Sequence, residues 1–494
     1  MKTPKNLVCL LAILVGTVVF AQQQNNRWFD NIEITNSRVD GGIDIVSLNE
    51  GTLLFASCFE NLAGSSRISI YQSNDEGENW ATFFEATPNV NFLKMKMLML
   101  NAVSGDDYLL VYTVNNNNQL RVRRFNLSQG TPVESQVIAE NVVDFDVDRD
   151  FPESTSNQSV FLIYQTTSNN ILTARTQVGT FGFDYVDFET IAFGRSMPSI
   201  AYSRVGNIYV TYVRNSNGDL NARHNTNRLD PASWNATEVL EDGSVRESLN
   251  PKIVAEREIG PFENVLVITS SRGTGSGGKY NIRRYRKIGG ANFTGGVTNA
   301  SPEGISYLYM DGFINYRIGA NVQIGYLRQS INGSQNNSLL YRVYDGSTLS
   351  TSEFATPNDI DLYDGFQPFA ITTIRSGEEE EALIVYTGTS ADGTHAEGLY
   401  FDRQSSVLSL LDLDIETIKL YPNPANQYIN IEAPQNEALT STEIYDSTGK
   451  LIKTVAFKNL NTTQQLDISN LASGVYFINI QTTKKQETKK IIIN

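Results

Sequence analysis

Two cysteines and two histidines in 494 residues leave little room for the commonest reactive chemistries. Cys9 lies inside an apolar N-terminal run, so Cys58 alone would outlast removal of that run, and no intramolecular disulfide is expected. Cys58 follows an apolar strand and reads as a small buried hydrophobe. His224 and His395 lie far apart, neither with metal-ligand spacing, which argues against zinc, Cys-His and Ser-His-Asp chemistry. They read as surface or turn residues. No internal stretch is apolar enough to span a bilayer as a helix, and none carries the 3.6-residue period of helical repeats. Basic charge is scarce as well. Against 54 acidic residues stand 39 basic ones, a net charge of -15 that disfavours nucleic acid and anionic membranes as partners. No cofactor is expected.

What is present starts with a leader. Lys2 and Lys5 precede an apolar run from Leu7 to Phe20, and Val19-Phe20-Ala21 offers small residues for cleavage. Residues 1–21 therefore read as a secretory signal peptide, with the mature chain beginning near Gln22. Cys9 lacks the small preceding residue of a lipoprotein signal.

Between residues 41 and 405 one strand motif recurs, as Thr52 to Ala56, Tyr108 to Tyr112, Val160 to Tyr164, Ile208 to Tyr212, Val265 to Thr269, Val322 to Tyr326 and Ala382 to Tyr386. The second residues of these runs are separated by 56, 52, 48, 57, 57 and 60 positions. A repeat of that length holds about four strands of five to six residues with their turns. Each run is nearly continuous in apolar residues, as expected of a strand covered on both faces. An alternating strand precedes it, and a polar hairpin follows it. A further strand then carries a recurrent arginine: Leu120/Arg123, Leu172/Arg175, Leu220/Arg223 and Leu339/Arg342 share Leu-x-x-Arg, with Tyr280/Arg283 as a variant. The regularity predicts a seven-bladed β-propeller, whose adjacent blades would supply the two-sided cover. A pair of β-sandwiches is the competing fold. Trp28 to Asn36 is the expected outer strand of the last blade, with Ser406 to Leu413 as the alternative.

Ser73-Asn74-Asp75-Glu76-Gly77-Glu78-Asn79-Trp80 matches S-x-D-x-G-x-x-W and resembles the Asp-box of sialidase-like propellers. The duties of Ser73, Asp75, Gly77 and Trp80 are those of a turn: Asp75 accepts backbone N–H bonds, Gly77 takes an unusual backbone angle, and Trp80 packs under the hairpin. Asp230-Pro231-Ala232-Ser233-Trp234 is at best a degenerate copy. Sialidases hold a substrate carboxylate with three arginines and use a Tyr–Glu pair with an Asp acid/base. Their early Arg-Ile-Pro signature has no counterpart here, so no catalytic residue is assigned.

Asp144, Asp146, Asp148 and Asp150 alternate with other residues, so a strand there would place four carboxylates on one face. They are weak calcium candidates. The glycine of an EF-hand loop is missing, which points instead to a solvated strand near the ring's axis or mouth, with no metal. Glu378 to Glu381 reads as a solvated turn. Recurrent Tyr and Arg read as packing between repeats, or alternatively as grooves that each hold one sugar.

The last eighty residues carry Tyr421-Pro422-Asn423-Pro424, then Ser447-Thr448-Gly449, then Gly474-Val475-Tyr476. In that order these elements resemble the C-terminal sorting domain of the type IX secretion system of the Bacteroidota. The resemblance implies a small β-sandwich, the type IX machinery as partner, and a protein released outside the cell or held on its surface. The expected organisation is all-β: residues 1–21 a signal peptide, 22–413 a seven-bladed β-propeller with 28–36 closing its last blade, and 414–494 the sorting sandwich. The expected protein is a monomer that binds a glycan, polymer or protein. The alternatives are a sialidase-like glycoside hydrolase and a structural surface or adhesion component.

Overall fold

The computed structural model describes Trp28 and then residues 32 to 493, apart from short stretches and longer ones at 151–158, 177–184, 256–263, 315–321, 331–336, 391–397 and 405–417. The expected signal peptide, His395 and Ser406 to Leu413 lie outside the described residues. The chain divides into two compact units, Met1–Ser406 and Val407–Asn494.

In the first unit the described residues form seven antiparallel sheets. Six contain four strands that are consecutive in the chain, and their first strands are Gly41–Leu48, Phe92–Asn101, Val142–Arg149, Arg195–Tyr202, Arg246–Ala255 and Ile305–Ile314. The seventh combines Phe369–Ser376, Glu379–Ser390 and Gly398–Arg403 with a strand from the start of the chain, Ile32–Thr35, whose Ile32 faces Phe401. Ile360–Leu362 pairs with the far end of Glu379–Ser390. Every described residue of the apolar runs singled out in the sequence lies in the second strand of its sheet.

Buried side chains are grouped by seam. One cluster joins Phe55 and Ile68 of the first sheet to Met97 and Val111 of the second, and another joins Tyr112 to Tyr164 of the third. The pattern continues around the unit until Leu54 and Ala56 of the first sheet meet Leu383 and Val385 of the seventh. This two-sided cover explains why the second strands are apolar throughout. The first strands of consecutive sheets lie side by side, and that of the seventh also lies beside that of the first. Antiparallel pairing puts the hairpins between second and third strands, and the connections from one sheet to the next, at one end of the sheets. We call this the hairpin end.

Glu381 is not in a solvated turn. It lies in the strand Glu379–Ser390, 3% exposed, and accepts from Arg403 Nε at 2.5 Å. The guanidinium compensates for the loss of hydration. Cys58 is buried, and burial pushes its thiol up to about 12.

The second unit has two sheets, Lys419–Tyr421/Tyr428–Glu432/Thr463–Asp467 and Leu451–Ala456/Leu439–Asp446/Gly474–Thr482/Gln486–Ile493. They share a core that includes Ile429, Ile431, Ile444, Leu466, Ile478 and Ile491.

Candidate functional site

The first strands of six sheets each carry a register shift near their start. A bulge adds twist and re-aims the side chains that follow it. In three of them a residue with a side chain takes positive φ: Met197 (55°), Asn250 (47°) and Tyr309 (44°), while Gly42 (67°) does so in the first sheet. Polar residues just beyond the bulges meet one another. Lys96 Nζ lies 2.8 Å from Asp146 Oδ1, and Lys252 Nζ lies 3.6 Å from both Asp146 Oδ2 and Asp311 Oδ1.

These groups also fasten each sheet to a neighbour. Met97 N donates to Asp44 Oδ2 at 2.5 Å, Ile200 N and Ser199 Oγ donate to Asp146 Oδ2 at 3.1 and 2.7 Å, Ile253 N donates to Ser199 Oγ at 3.2 Å, and Ile371 N donates to Asp311 Oδ2 at 3.2 Å. Burial would raise the Asp146 carboxyl, but Lys252, Lys96 and Lys94 outweigh it and hold it well below the usual carboxylate range. Asp44 goes the other way. Burial, helped by Asp311, pushes it up to about 6 against the opposing pull of Lys96.

The aspartate strand is therefore not solvated along its length. Asp146, Asp148 and Asp150 are buried, and Asp148 Oδ2 and Asp150 Oδ1 accept from Tyr202 N at 2.8 Å and Ser159 N at 2.7 Å. Asp144 is half-buried against Lys94, 2.6 Å away. Lysines and N–H groups of neighbouring segments neutralise what alternation alone predicts to need water. Among the described residues no group of three His, Cys, Asp or Glu side chains is placed to hold a metal ion.

A second polar centre lies at the hairpin end between the fourth and fifth sheets. Glu241, on the fourth strand of the fourth sheet (Glu238–Glu241), meets Arg283 Nε at 2.8 Å and Arg246 Nε at 3.4 Å, and it accepts from the Tyr285 hydroxyl. Burial, and then this bond to Glu241, raise the tyrosine's pKa. Gly296 leaves room for Arg283: a Cβ there would come within 2.5 Å of its guanidinium. Nearby, Glu247 pairs with Arg272 at 2.6 Å, and the Arg272 guanidinium lies 4.7 Å from the Tyr280 ring centre. Sequence reasoning took Arg283 as one more repeat arginine. It missed Glu241 and Tyr285, which no sequence proximity links.

Two of the other recurrent arginines bond within the fold. Arg223 donates to the backbone oxygens of Ile191 and Asn235, and Arg342 donates to the Tyr326 hydroxyl at 2.9 Å. His224 stacks on Tyr209.

At Ser73 to Trp80, Gly77 N donates to Ser73 Oγ at 2.9 Å and Asn79 N to Asp75 Oδ1 at 2.9 Å. Gly77 has φ of 99°, and a Cβ there would strike Phe401. Trp80 packs on the same Phe401, with ring centres 5.3 Å apart. The turn thus lies against the seventh sheet.

In the C-terminal unit, Asn423 grips the last strand: Ile492 N donates to its Oδ1 at 2.9 Å, and its Nδ2 donates to Lys490 O at 3.1 Å. Pro422 and Pro424 both follow cis peptide bonds. Gly449 turns with φ of 84°, Gly474 opens a strand, and Tyr476 donates to Ala472 O at 2.9 Å. Tyr421 is exposed.

Residues 419–494 match the family model described as a secretion system C-terminal sorting domain. Beta-agarase A of Zobellia galactanivorans is 36% identical over 83 residues, 17% of this chain and 14% of the agarase, so the chain spans a small part of that relative. The BP39L lectin from Burkholderia pseudomallei superposes with a TM-score of 0.51 at 11% identity, over 75% of this chain and 97% of the lectin. That likeness is one of fold, β-propeller-like. An α-L-arabinanase from Penicillium chrysogenum, solved with arabinobiose, reaches a TM-score of 0.39 at 11% identity over 76% of this chain and 98% of its own. The C-terminal unit is a type IX sorting domain, which implies interaction with that secretion machinery, and the protein is secreted or displayed at the cell surface.

Proposed function

We propose that the first unit is a seven-bladed β-propeller, closed by Ile32–Thr35, that binds a carbohydrate at its hairpin end after export. The observation that carries this reading is the pair of Arg–Glu–Tyr sets flanking the fifth sheet there, Arg283/Glu241/Tyr285 and Arg272/Glu247/Tyr280. Guanidinium donors beside carboxylate acceptors suit sugar hydroxyls, each of which both donates and accepts. Arg246, Arg272 and Glu247 are partly exposed, with side-chain accessibilities of 33, 38 and 41%. By contrast, the carboxylates of the first strands are bound to lysines and N–H groups of neighbouring sheets, a scaffold role.

A hydrolase of sialidase type draws on one observation, the contact between Tyr285 and Glu241 beside two arginines. The raised pKa of Tyr285 makes its phenolate harder to form, which disfavours a nucleophilic role. The test is a glycan array with the exported full chain, run beside fluorogenic glycosides. Retention of a glycan without turnover is expected. Release of fluorophore would reverse the ranking, and an array with no hits would remove the carbohydrate reading.

A further inference from the structure

At the hairpin end of the fourth sheet two arginines face each other. Arg195 opens the first strand, Arg214 closes the second, Ile208–Arg214, and the two are paired directly across the ladder. Like charges so opposed in a sheet repel. Strand alternation puts Arg214 on the face of Tyr212, which packs with Phe161 of the third sheet. Both arginines therefore stand at the mouth of the seam between the third and fourth sheets.

Little in the fold offsets the pair. Arg195 Nη1 donates to the backbone oxygens of Phe193 and Gly194 at 2.8 and 3.0 Å, and among the described residues no carboxylate lies within ion-pair distance of Arg195. Asp219 Oδ2 is 3.8 Å from Arg214 Nη1, but that oxygen accepts from Asn217 Nδ2 at 2.7 Å, and Oδ1 accepts from Gly243 N at 3.0 Å. Burial and then the Arg214 charge lower the pKa of Arg195. In a chain of net charge -15, this pair is one that an anion from outside would neutralise.

The pair is also within reach of solvent. The Arg214 side chain is 45% accessible, and Arg195 is half-buried. Beside them Phe193, the last residue of Tyr185–Phe193, is 69% exposed, the highest value of any large hydrophobic side chain among the described residues. Its ring offers a flat surface to the apolar face of a sugar. Ser196 Oγ donates to Asn215 Oδ1 at 2.7 Å, which adds polar groups to the exposed rim. The bond from Gly243 to Asp219 joins this corner to the connection between Glu241 and Arg246, so it continues the surface of the Arg–Glu–Tyr sets.

We propose that this corner binds an acidic sugar of a polysaccharide, its sulfate or carboxylate held between Arg195 and Arg214 and its ring laid on Phe193. This rests on the carbohydrate reading above and names the charge of the ligand.

The test is isothermal titration calorimetry of the exported full chain with dextran, dextran sulfate, polygalacturonate and polyglutamate. Dextran sulfate or polygalacturonate is expected to bind, and the tighter of the two tells a sulfate site from a carboxylate site. Plain dextran is expected not to bind. R214E should abolish binding while leaving the thermal midpoint unchanged or higher, since it turns a repulsion into an ion pair with Arg195. F193A should weaken binding of the acidic polysaccharide about tenfold. If R214E misfolds, F193A decides. The proposal is overturned if neither acidic polysaccharide binds, if dextran or polyglutamate binds as tightly, or if either variant, folded, binds like the parent. Array hits confined to neutral glycans would keep the wider reading and remove this site, whereas an array with no hits would remove both.

Discussion

Asp146 shows what a single side chain does in this protein. It receives two lysines, one serine hydroxyl and one backbone N–H from other sheets, and its own strand supplies none of these. Taking away one partner of a buried ion pair strands the other charges, at a cost of about 3–5 kcal/mol. Asp146→Ala should therefore lower stability by that order in urea titrations of the full chain. Asp44 behaves oppositely with pH. Its folded value of about 6 lies above the ordinary 3.8, so the folded state binds the extra proton, and its stabilisation is lost as pH rises through about 6. Melting midpoints of the parent should fall between pH 5 and 7 more than those of Asp44→Asn, and parallel curves would refute the assignment. Neither behaviour was legible beforehand. Lys96 and Asp146 are 50 residues apart, and alternation reveals which side a residue faces but not what faces it.

At the scale of strands and turns, much was legible. The seven apolar runs are all second strands, because cover on two faces demands continuous hydrophobicity and so writes itself into composition. Ile32–Thr35 pairs with Gly398–Arg403. The bulges escaped notice, since Met197, Asn250 and Tyr309 are not the glycines that usually advertise positive φ. Asn250→Gly should keep or raise stability, whereas Asn250→Val should cost about 1–3 kcal/mol in the same urea titration. Deleting residues 22–38 would uncover the edge of Gly398–Arg403. A lower melting temperature and oligomers in light scattering are expected.

For the molecule as a whole, the order of short motifs in the tail was informative because each sits at a turn or a grip. Asn423 holds the final strand, and Gly449 makes a tight hairpin. One face of the tail's larger sheet exposes Leu451, Val475, Phe477 and Ile492. Exposed apolar side chains clustered on a sheet suit contact with another protein. Leu451→Ser with Phe477→Ser should leave the domain folded yet reduce export, and removal of residues 419–494 should keep the protein inside the cell, both read by immunoblot of medium and cell fractions. The seventh sheet draws four of its five strands from residues 360–403 and one from residues 32–35. Its completion must therefore wait for almost the entire chain upstream of the tail to emerge. A truncated translation product could not finish that sheet, and would present an open strand edge to proteases instead of an intact cargo.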